Sequence, residues 1–288
     1  MNKNKAIRYA IYAALLYAVS TPFSKILMEK IPPAFMAGLL YLGAAAGMVI
    51  TTLFSRKKSK KEAAFTHKDI PYLILMVILD IAAPILLMTA LKYSSAESVS
   101  LLNNFEIVAT SLIALLIFKE KISPRLWIAI TLITAASIML SLSENGSLTI
   151  SVYSLLALLA CCCWGLENNC TRKLSNRDPA KIVIIKGFGS GTGSVIVALI
   201  CGERLNITPY ILLALLLGFI AYGLSIYTYV YAQRYIGAAK TSAFYALAPF
   251  IGALISLVIF PKIPSWLFII SFVIMALGSF LAIEKERT

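Results

Sequence analysis

Long apolar stretches, separated by short polar ones, recur along nearly all of the 288 residues of the chain. A helix that crosses a bilayer needs about 20 mainly apolar residues. Stretches of this kind predict ten transmembrane helices, at about 7–27, 33–54, 70–91, 97–118, 125–142, 152–173, 180–201, 209–232, 239–260 and 264–283. The predicted fold class is therefore an all-α membrane protein with ten spans.

The composition supports lipid as the solvent for much of the surface. Hydrophobic residues make up 60% of the chain and the mean hydropathy is +0.86, whereas a soluble domain has roughly 45–50% apolar residues. All five cysteines fall in apolar stretches, so no disulfide framework is expected. The first apolar stretch is long enough to span and no small-residue cleavage site follows it, so no signal peptide is predicted.

The net charge of +13 is distributed unevenly between the loops. With a cytoplasmic N-terminus, 20 Lys and Arg residues lie inside and 5 outside, including the basic run at 56–61, and Lys186 lies within a span. This asymmetry predicts that both termini are cytoplasmic, in the cell membrane. The basic residues then face anionic lipid, and nucleic acid is not expected as a partner.

The two halves of the chain resemble each other. The segment 90–118 aligns with 232–260, so that Tyr93 pairs with Tyr235. Division at residues 1–145 and 146–288 places five spans in each half, and an odd number forces the halves to insert in opposite directions. Inverted repeats of this kind support alternating access around a site near the bilayer midplane.

The repeated segment and a few further residues resemble a known family. The stretch 90–96, the end of the fourth span at 118–123, Trp164 with Gly165, and Pro249 are similar to the pattern of the drug/metabolite transporter superfamily, in its ten-helix branch with two EamA-type domains. The likeness covers essentially the whole chain. It implies a central cavity lined by spans 1, 3, 4, 6, 8 and 9, and often the export of amino acids or other metabolites.

The chain departs from that pattern at two places, one in each half. Glu106 and Ile107 stand where such repeats commonly have proline, and Lys262 stands in the second half where a residue like Glu120 would fall. The first departure adds a charge to the expected cavity and so points away from a neutral amino-acid substrate.

Four ionisable residues lie deep within spans, where they are costly and face a bundle interior or a wet cavity. Asp80 and Glu106 fall near the midplane and predict an acidic solute site, and no cation is expected at the depth of Asp80. Glu167 and Lys186 lie at similar depths in spans six and seven. They are predicted either to form a structural ion pair or, through Glu167, to belong to the site.

Polar and aromatic residues complete the predicted substrate site. Asn103 lies one turn before Glu106 and is expected to donate its amide to that carboxylate. Tyrosines beside carboxylates suit an organic cation through cation–π attraction. The predicted substrate-binding residues are Asp80, Asn103, Glu106, Trp164, Glu167, Asn168, Tyr229 and Tyr245. The glycines at 187–193 lie inside a span and predict close helix packing.

These residues predict a secondary transporter of a small cationic or zwitterionic solute, most simply an exporter coupled to proton exchange. The alternatives are an exporter of neutral metabolites or amino acids, or a divalent-metal transporter using Cys163, Glu167 and Cys170. A membrane enzyme is not expected, and a lipid-moving protein or passive channel is a rival. No cofactor is predicted. The expected partners are the solute, protons and membrane lipid, with the chain a monomer or homodimer.

Overall fold

The structure, a computed structural model, describes residues 3–54, 64–117, 119, 123–143, 151–206, 208–261 and 263–282. Every regular element within these ranges is helical. The basic run at 56–61, Glu120, Lys262 and the predicted boundary at residues 145 and 146 lie outside the described residues.

Within the described residues, thirteen α-helices follow one another along the chain. They are α1 (Lys3–Ala18), α2 (Ser20–Leu27), α3 (Pro33–Phe54), α4 (Ile70–Tyr93), α5 (Ala96–Leu102), α6 (Phe105–Leu116), α7 (Pro124–Ser143), α8 (Val152–Leu174), α9 (Pro179–Ile200), α10 (Tyr210–Gly218), α11 (Ser225–Tyr245), α12 (Leu247–Ile259) and α13 (Trp266–Ala282). A 3₁₀ turn at His67–Asp69 precedes α4, and a π-helical turn at Phe219–Leu224 joins α10 to α11.

In the part of the chain that the structure describes, six helical stretches are long and apolar enough to cross a membrane: Lys5–Leu27, Pro33–Phe54, His67–Tyr93, Ala96–Leu116, Pro179–Ile200 and Tyr210–Ile236. They coincide with six of the predicted spans. Pro124–Leu140, Leu247–Ile259 and Trp266–Leu281 are shorter apolar helices at three further predicted positions. The remaining predicted span, α8, has 23 residues but is more polar than these. The helical membrane fold is thus confirmed, while the count of ten spans stays a prediction.

Large apolar side chains cover the outside of the helices. Leu53, Ile200, Leu212 and Val258, for example, are each more than 70% exposed. A soluble monomer rarely exposes apolar surface on this scale. The exposure is that of a protein whose outer surface meets lipid.

Two helix interruptions follow directly from proline. Pro22 lies in the first turn of α2, after a break at Val19, and Pro249 lies in the first turn of α12, after a break at Ala246. Proline has no N–H, and its ring clashes with the carbonyl four residues earlier. Both prolines therefore end the preceding helix, as their positions within spans suggest. Pro84, in contrast, lies inside an unbroken α4.

The helix α11 extends from Ser225 to Tyr245 and so runs past the predicted boundary between spans eight and nine, although the apolar stretch that could cross a membrane ends at Ile236. The rings of Tyr229 and Tyr245 nevertheless lie only 5.0 Å apart. In a straight helix sixteen residues would separate them by about 24 Å. The chain therefore changes direction between Tyr229 and Tyr245.

Candidate functional site

A polar cavity of about 60 Å³ lies among the helices. It is lined by Tyr17, Tyr41, Glu106, Trp164, Glu167, Asn168, Thr171, Lys186, Tyr222, Ile226, Tyr229 and Tyr245. A cavity needs about 10–15 Å³ by the same measure to hold one water molecule. The space is therefore large enough for a few water molecules in this conformation, and a larger solute would require the helices to move apart.

Five tyrosines form a continuous aromatic wall. Ring centroids are 5.1 Å apart for Tyr41 and Tyr222, 5.7 Å for Tyr222 and Tyr17, 5.5 Å for Tyr17 and Tyr245, and 5.0 Å for Tyr245 and Tyr229. These separations are typical of attractive aromatic pairs. The faces and hydroxyls of the rings give the cavity surfaces that attract a cation.

The helix interruptions lie at this wall. Tyr17 and Tyr245 come just before the breaks at Val19 and Ala246, and Tyr222 lies in the π-helical turn. Helix breaks and π turns occur often at functional sites, where the irregular backbone borders a cavity. The local sequence thus places three of the five rings where regular helix ends.

Lys186 lies between two buried carboxylates. Its Nζ is 2.9 Å from Oε1 of Glu167 and 3.1 Å from Oδ2 of Asp80. The hydroxyl of Tyr41 donates to Oδ1 of Asp80 at 2.8 Å, and Thr171 donates to Oε1 of Glu167. The predicted Glu167–Lys186 pair is confirmed. The expectation that Asp80 has no cation at its depth is wrong, because the long lysine side chain reaches both carboxylates.

The N-terminal ends of α4 and α9 lie side by side, which places Asp80 and Lys186 at similar depths. Arg177 and Asp69, which precede the two helices, form an ion pair at 2.9 Å. With a rise of 1.5 Å per residue, Asp80 lies about 16 Å along its helix from Asp69, and Lys186 lies about 13 Å along its helix from Arg177. Asp178 caps α9 by accepting from the N–H of Ala180 at 2.9 Å. Both charged groups therefore arrive at nearly the same depth.

Two glycines allow the helices that carry the site to approach closely. A Cβ at Gly187 would lie 2.6 Å from the carbonyl oxygen of Tyr41, so α9 packs directly on α3 beside Lys186. A Cβ at Gly165 would lie 2.8 Å from the backbone nitrogen of Thr110, so α8 packs directly on α6. Small residues at helix interfaces act in this way in membranes. The packing role predicted for the glycines at 187–193 is confirmed at Gly187.

The approach of α8 to α6 brings Asn168 to Glu106. The Asn168 amide donates to Oε1 of Glu106 at 2.5 Å. The predicted donor, Asn103, makes no such bond, and its Nδ2 has no partner among the described residues. Asn103 instead lines a neighbouring cavity of about 20 Å³, together with Glu106 and Tyr245. No cation lies within ion-pair distance of Glu106 in the described part of the chain.

Six of the eight predicted substrate-binding residues line the main cavity: Glu106, Trp164, Glu167, Asn168, Tyr229 and Tyr245. Asn103 lies in the adjoining small cavity, and Asp80 lies behind Tyr41 and Lys186 without lining either space. Of the three acidic residues predicted for the site, Glu106 and Glu167 line the main cavity and Asp80 does not.

The spans that line this cavity also differ from the set that the family resemblance implies, namely spans 1, 3, 4, 6, 8 and 9. Spans two and seven contribute Tyr41 and Lys186, and span three contributes no lining residue. Six lining residues were not predicted as substrate-binding residues: Thr171, Lys186, Tyr222 and Ile226, together with the tyrosines of spans one and two, Tyr17 and Tyr41. A signal for the two tyrosines is present in the sequence, because tyrosine is enriched at membrane interfaces and these two lie well inside their spans.

The residues for a metal site do not come together. Among the described residues, no group of three or more His, Cys, Asp or Glu side chains is arranged to hold a metal ion. The predicted stripe of Cys163, Glu167 and Cys170 therefore gains no support from the geometry.

Comparisons with known proteins agree with this architecture. The EamA-like transporter family matches residues 4–142 and again 151–283. A protein of Methanothermobacter thermautotrophicus described as an uncharacterized transporter is 26% identical over 293 residues, covering 94% of this chain and 84% of that protein. A solved crystal structure, described only as that of a protein, has a TM-score of 0.72 at 15% identity, covering 98% of this chain and 97% of its own.

The apolar exterior, the helical fold and the cavity lined by charged, amide and tyrosine side chains are those of a multi-pass membrane protein of the transporter class. The family match over nearly the whole length shows that the chain belongs to the EamA-like transporter family, within the drug/metabolite transporter superfamily. The resemblance found in the sequence is thereby confirmed.

Proposed function

We propose that the chain is a secondary transporter that exports a small cationic or zwitterionic organic solute in exchange for protons. The observation that carries the proposal is Glu106, a carboxylate with no ion-pair partner among the described residues that borders a cavity walled by five tyrosines. An ionised carboxylate at this depth is costly unless a cation, a proton or water reaches it. A solute cation and a proton therefore compete for the same group.

The aromatic wall favours an organic ammonium over a bare metal ion. Each ring face near an ammonium contributes about 0.5–2 kcal/mol of cation–π attraction. Lys186 also borders the cavity, and its ammonium suits the carboxylate of a zwitterion. The geometry thus supports a solute that carries at least one ammonium group.

Alternating access between two inverted halves is part of the same proposal. The family match falls twice, once in each half, which supports the division at residues 1–145 and 146–288. We place both termini in the cytoplasm and the protein in the cell membrane, on the basis of the uneven charge of the loops.

Binding and transport test the proposal in two steps. Purified protein is screened by thermal shift against choline, its neutral isostere 3,3-dimethylbutan-1-ol (dimethylbutanol), glycine betaine, amino acids and zinc. Choline or betaine is expected to stabilise the protein by mass action, and dimethylbutanol is not. In liposomes, uptake of the stabilising solute should saturate and follow an imposed pH gradient. Linear uptake that ignores the gradient would instead identify a passive channel.

A further inference from the structure

The two carboxylates held by Lys186 differ in their access to the cavity. Asp80 is 0% exposed, has its other oxygen occupied by the hydroxyl of Tyr41 at 2.8 Å, and does not line the cavity. Glu167 lines the cavity directly. Lys186 therefore has one counter-ion sealed within the protein and one counter-ion open to a solute.

One carboxylate oxygen of Glu167 can still accept a hydrogen bond or contact a cation. Its Oε1 accepts from both Lys186 and Thr171, whereas its Oε2 has no hydrogen-bond donor among the described residues. Glu106 shows the same pattern, with Oε1 bonded to Asn168 and Oε2 unbonded in the described part of the chain. Asn168 is the residue after Glu167, so the two carboxylates stand close together at one cavity.

The helices around Lys186 allow its bond to Glu167 to break. The helices α8 and α9 each pack extensively on α4 but hardly touch one another. The Lys186–Glu167 bond therefore links two helices without a packed interface between them. Breaking this bond costs the ion pair itself and little van der Waals contact.

From this asymmetry we infer that Lys186 is a tethered competitor of the solute. Its ammonium neutralises Glu167 when the cavity is empty, and it yields Glu167 to the solute ammonium while it keeps Asp80. The inference rests on the proposed function and assigns Glu167, beside Glu106, as the second carboxylate that recognises the solute. One cation replaces another, so Glu167 is never left without a positive charge in the low-dielectric interior.

Three proteins test the competition: wild type, Asp80→Asn with Lys186→Met, and the triple variant that adds Glu167→Gln. The double variant removes the competitor together with its sealed counter-ion and leaves Glu167 to the solute alone. The triple variant differs from it only in Glu167. Affinity for choline is measured by calorimetry on purified protein, with dimethylbutanol as the neutral control.

The double variant should bind choline at least about tenfold more tightly than wild type, a conservative figure for one extra charge at contact distance. The triple variant should lose that gain, and dimethylbutanol should bind all three alike. A double variant that binds choline no more tightly than wild type would overturn the inference while leaving the proposed function intact. Failure of wild type to bind either choline or betaine would instead remove the proposed function.

A single variant provides a second test if the double variant does not fold. Glu167→Gln preserves the size of the side chain and leaves Lys186 with Asp80. It should weaken choline binding about tenfold and leave thermal stability without solute close to that of wild type. Unchanged choline affinity in this variant would show that Glu167 serves Lys186 alone, and would overturn the inference.

Discussion

The cavity brings together two acidic regions that are built differently. In the first, Asp80 and Glu167 share the ammonium of Lys186, and Tyr41 and Thr171 supply further hydrogen bonds. In the second, Glu106 has the amide of Asn168 and no cation among the described residues. The protein supplies one positive charge to the two carboxylates of the first region, whereas among the described residues it supplies none to Glu106 in the second.

The difference separates a stabilising role from a binding role. A buried carboxylate with its own cation contributes to a defined structure, and removing the cation leaves a charge that cannot be hydrated. A buried carboxylate without one depends on a proton or a solute. The contrast also shows why Glu167 is the informative residue, because it belongs to the first region but faces the cavity of the second.

The largest effect is expected from Lys186→Ala. It leaves Asp80 and Glu167 without their cation and should lower the free energy of unfolding by about 3–5 kcal/mol. Thermal unfolding in detergent measures the change. Lys181→Ala, on the exposed side of the same helix, is the matched control and should change stability by less than about 0.5 kcal/mol. Equal stability of the two variants would show that the Lys186 ammonium does not stabilise the first region.

Glu106→Gln should leave the fold intact and abolish proton-coupled transport. Glutamine is nearly the same size, and its carbonyl oxygen can still accept from Asn168. It is neutral, however, so it neither takes up a proton near neutral pH nor attracts a cationic solute as a carboxylate does. In wild type, acidification should weaken binding of a cationic solute, since the proton competes for Glu106. In the variant, binding should be weaker and its dependence on pH flatter.

Uptake into liposomes under a pH gradient, with binding followed across pH, measures this prediction. Glu29→Gln, at an exposed position, is the control and should behave as wild type. If Glu106→Gln transports a cationic solute at wild-type rates with unchanged pH dependence, Glu106 is structural and the two regions do not differ in role. For a neutral solute, binding should survive while the coupling is lost.

A smaller effect is expected from Tyr41→Phe. The change removes a hydrogen bond to a buried charge and should cost about 1–3 kcal/mol of stability. Tyr222→Phe is the control within the same aromatic wall, because the Tyr222 hydroxyl is buried without a partner among the described residues. That variant should be neutral or slightly stabilising. Equal losses in both variants would show that the Asp80 bond adds nothing beyond packing.

The smallest perturbation is the labelling of single cysteines at the two ends of α9. It reports which end of the helix faces the outside of the cell. A cysteine replacing Asn176, in a cysteine-free background, should resist an impermeant maleimide in intact cells. A variant that keeps Cys201 alone should react, because Cys201 is exposed at the other end of α9. The reverse pattern would invert the proposed orientation and the direction of export.

Much of the architecture was accessible from local sequence. The apolar stretches predicted where the helices lie, and the helix α3 matches its predicted range of 33–54. Pro22 and Pro249 lie just after two helix breaks, because the missing N–H and the ring clash act within one turn, whereas Pro84 breaks no helix. Intramembrane charge and amide side chains likewise identified three of the lining residues, Glu106, Glu167 and Asn168, since polar groups at that depth must face a cavity or a partner.

The partners of those residues were decided by tertiary structure alone. Lys186 reaches Asp80 as well as Glu167, Asn168 rather than Asn103 bonds to Glu106, and Tyr41 seals Asp80. Lipid is as apolar as a protein core, so the hydrophobic pattern fixes where a helix lies but hardly how it is rotated about its axis. That rotation is set by close contacts between distant segments, such as Gly187 against Tyr41 and Gly165 against Thr110, and those contacts exist only when the helices pack.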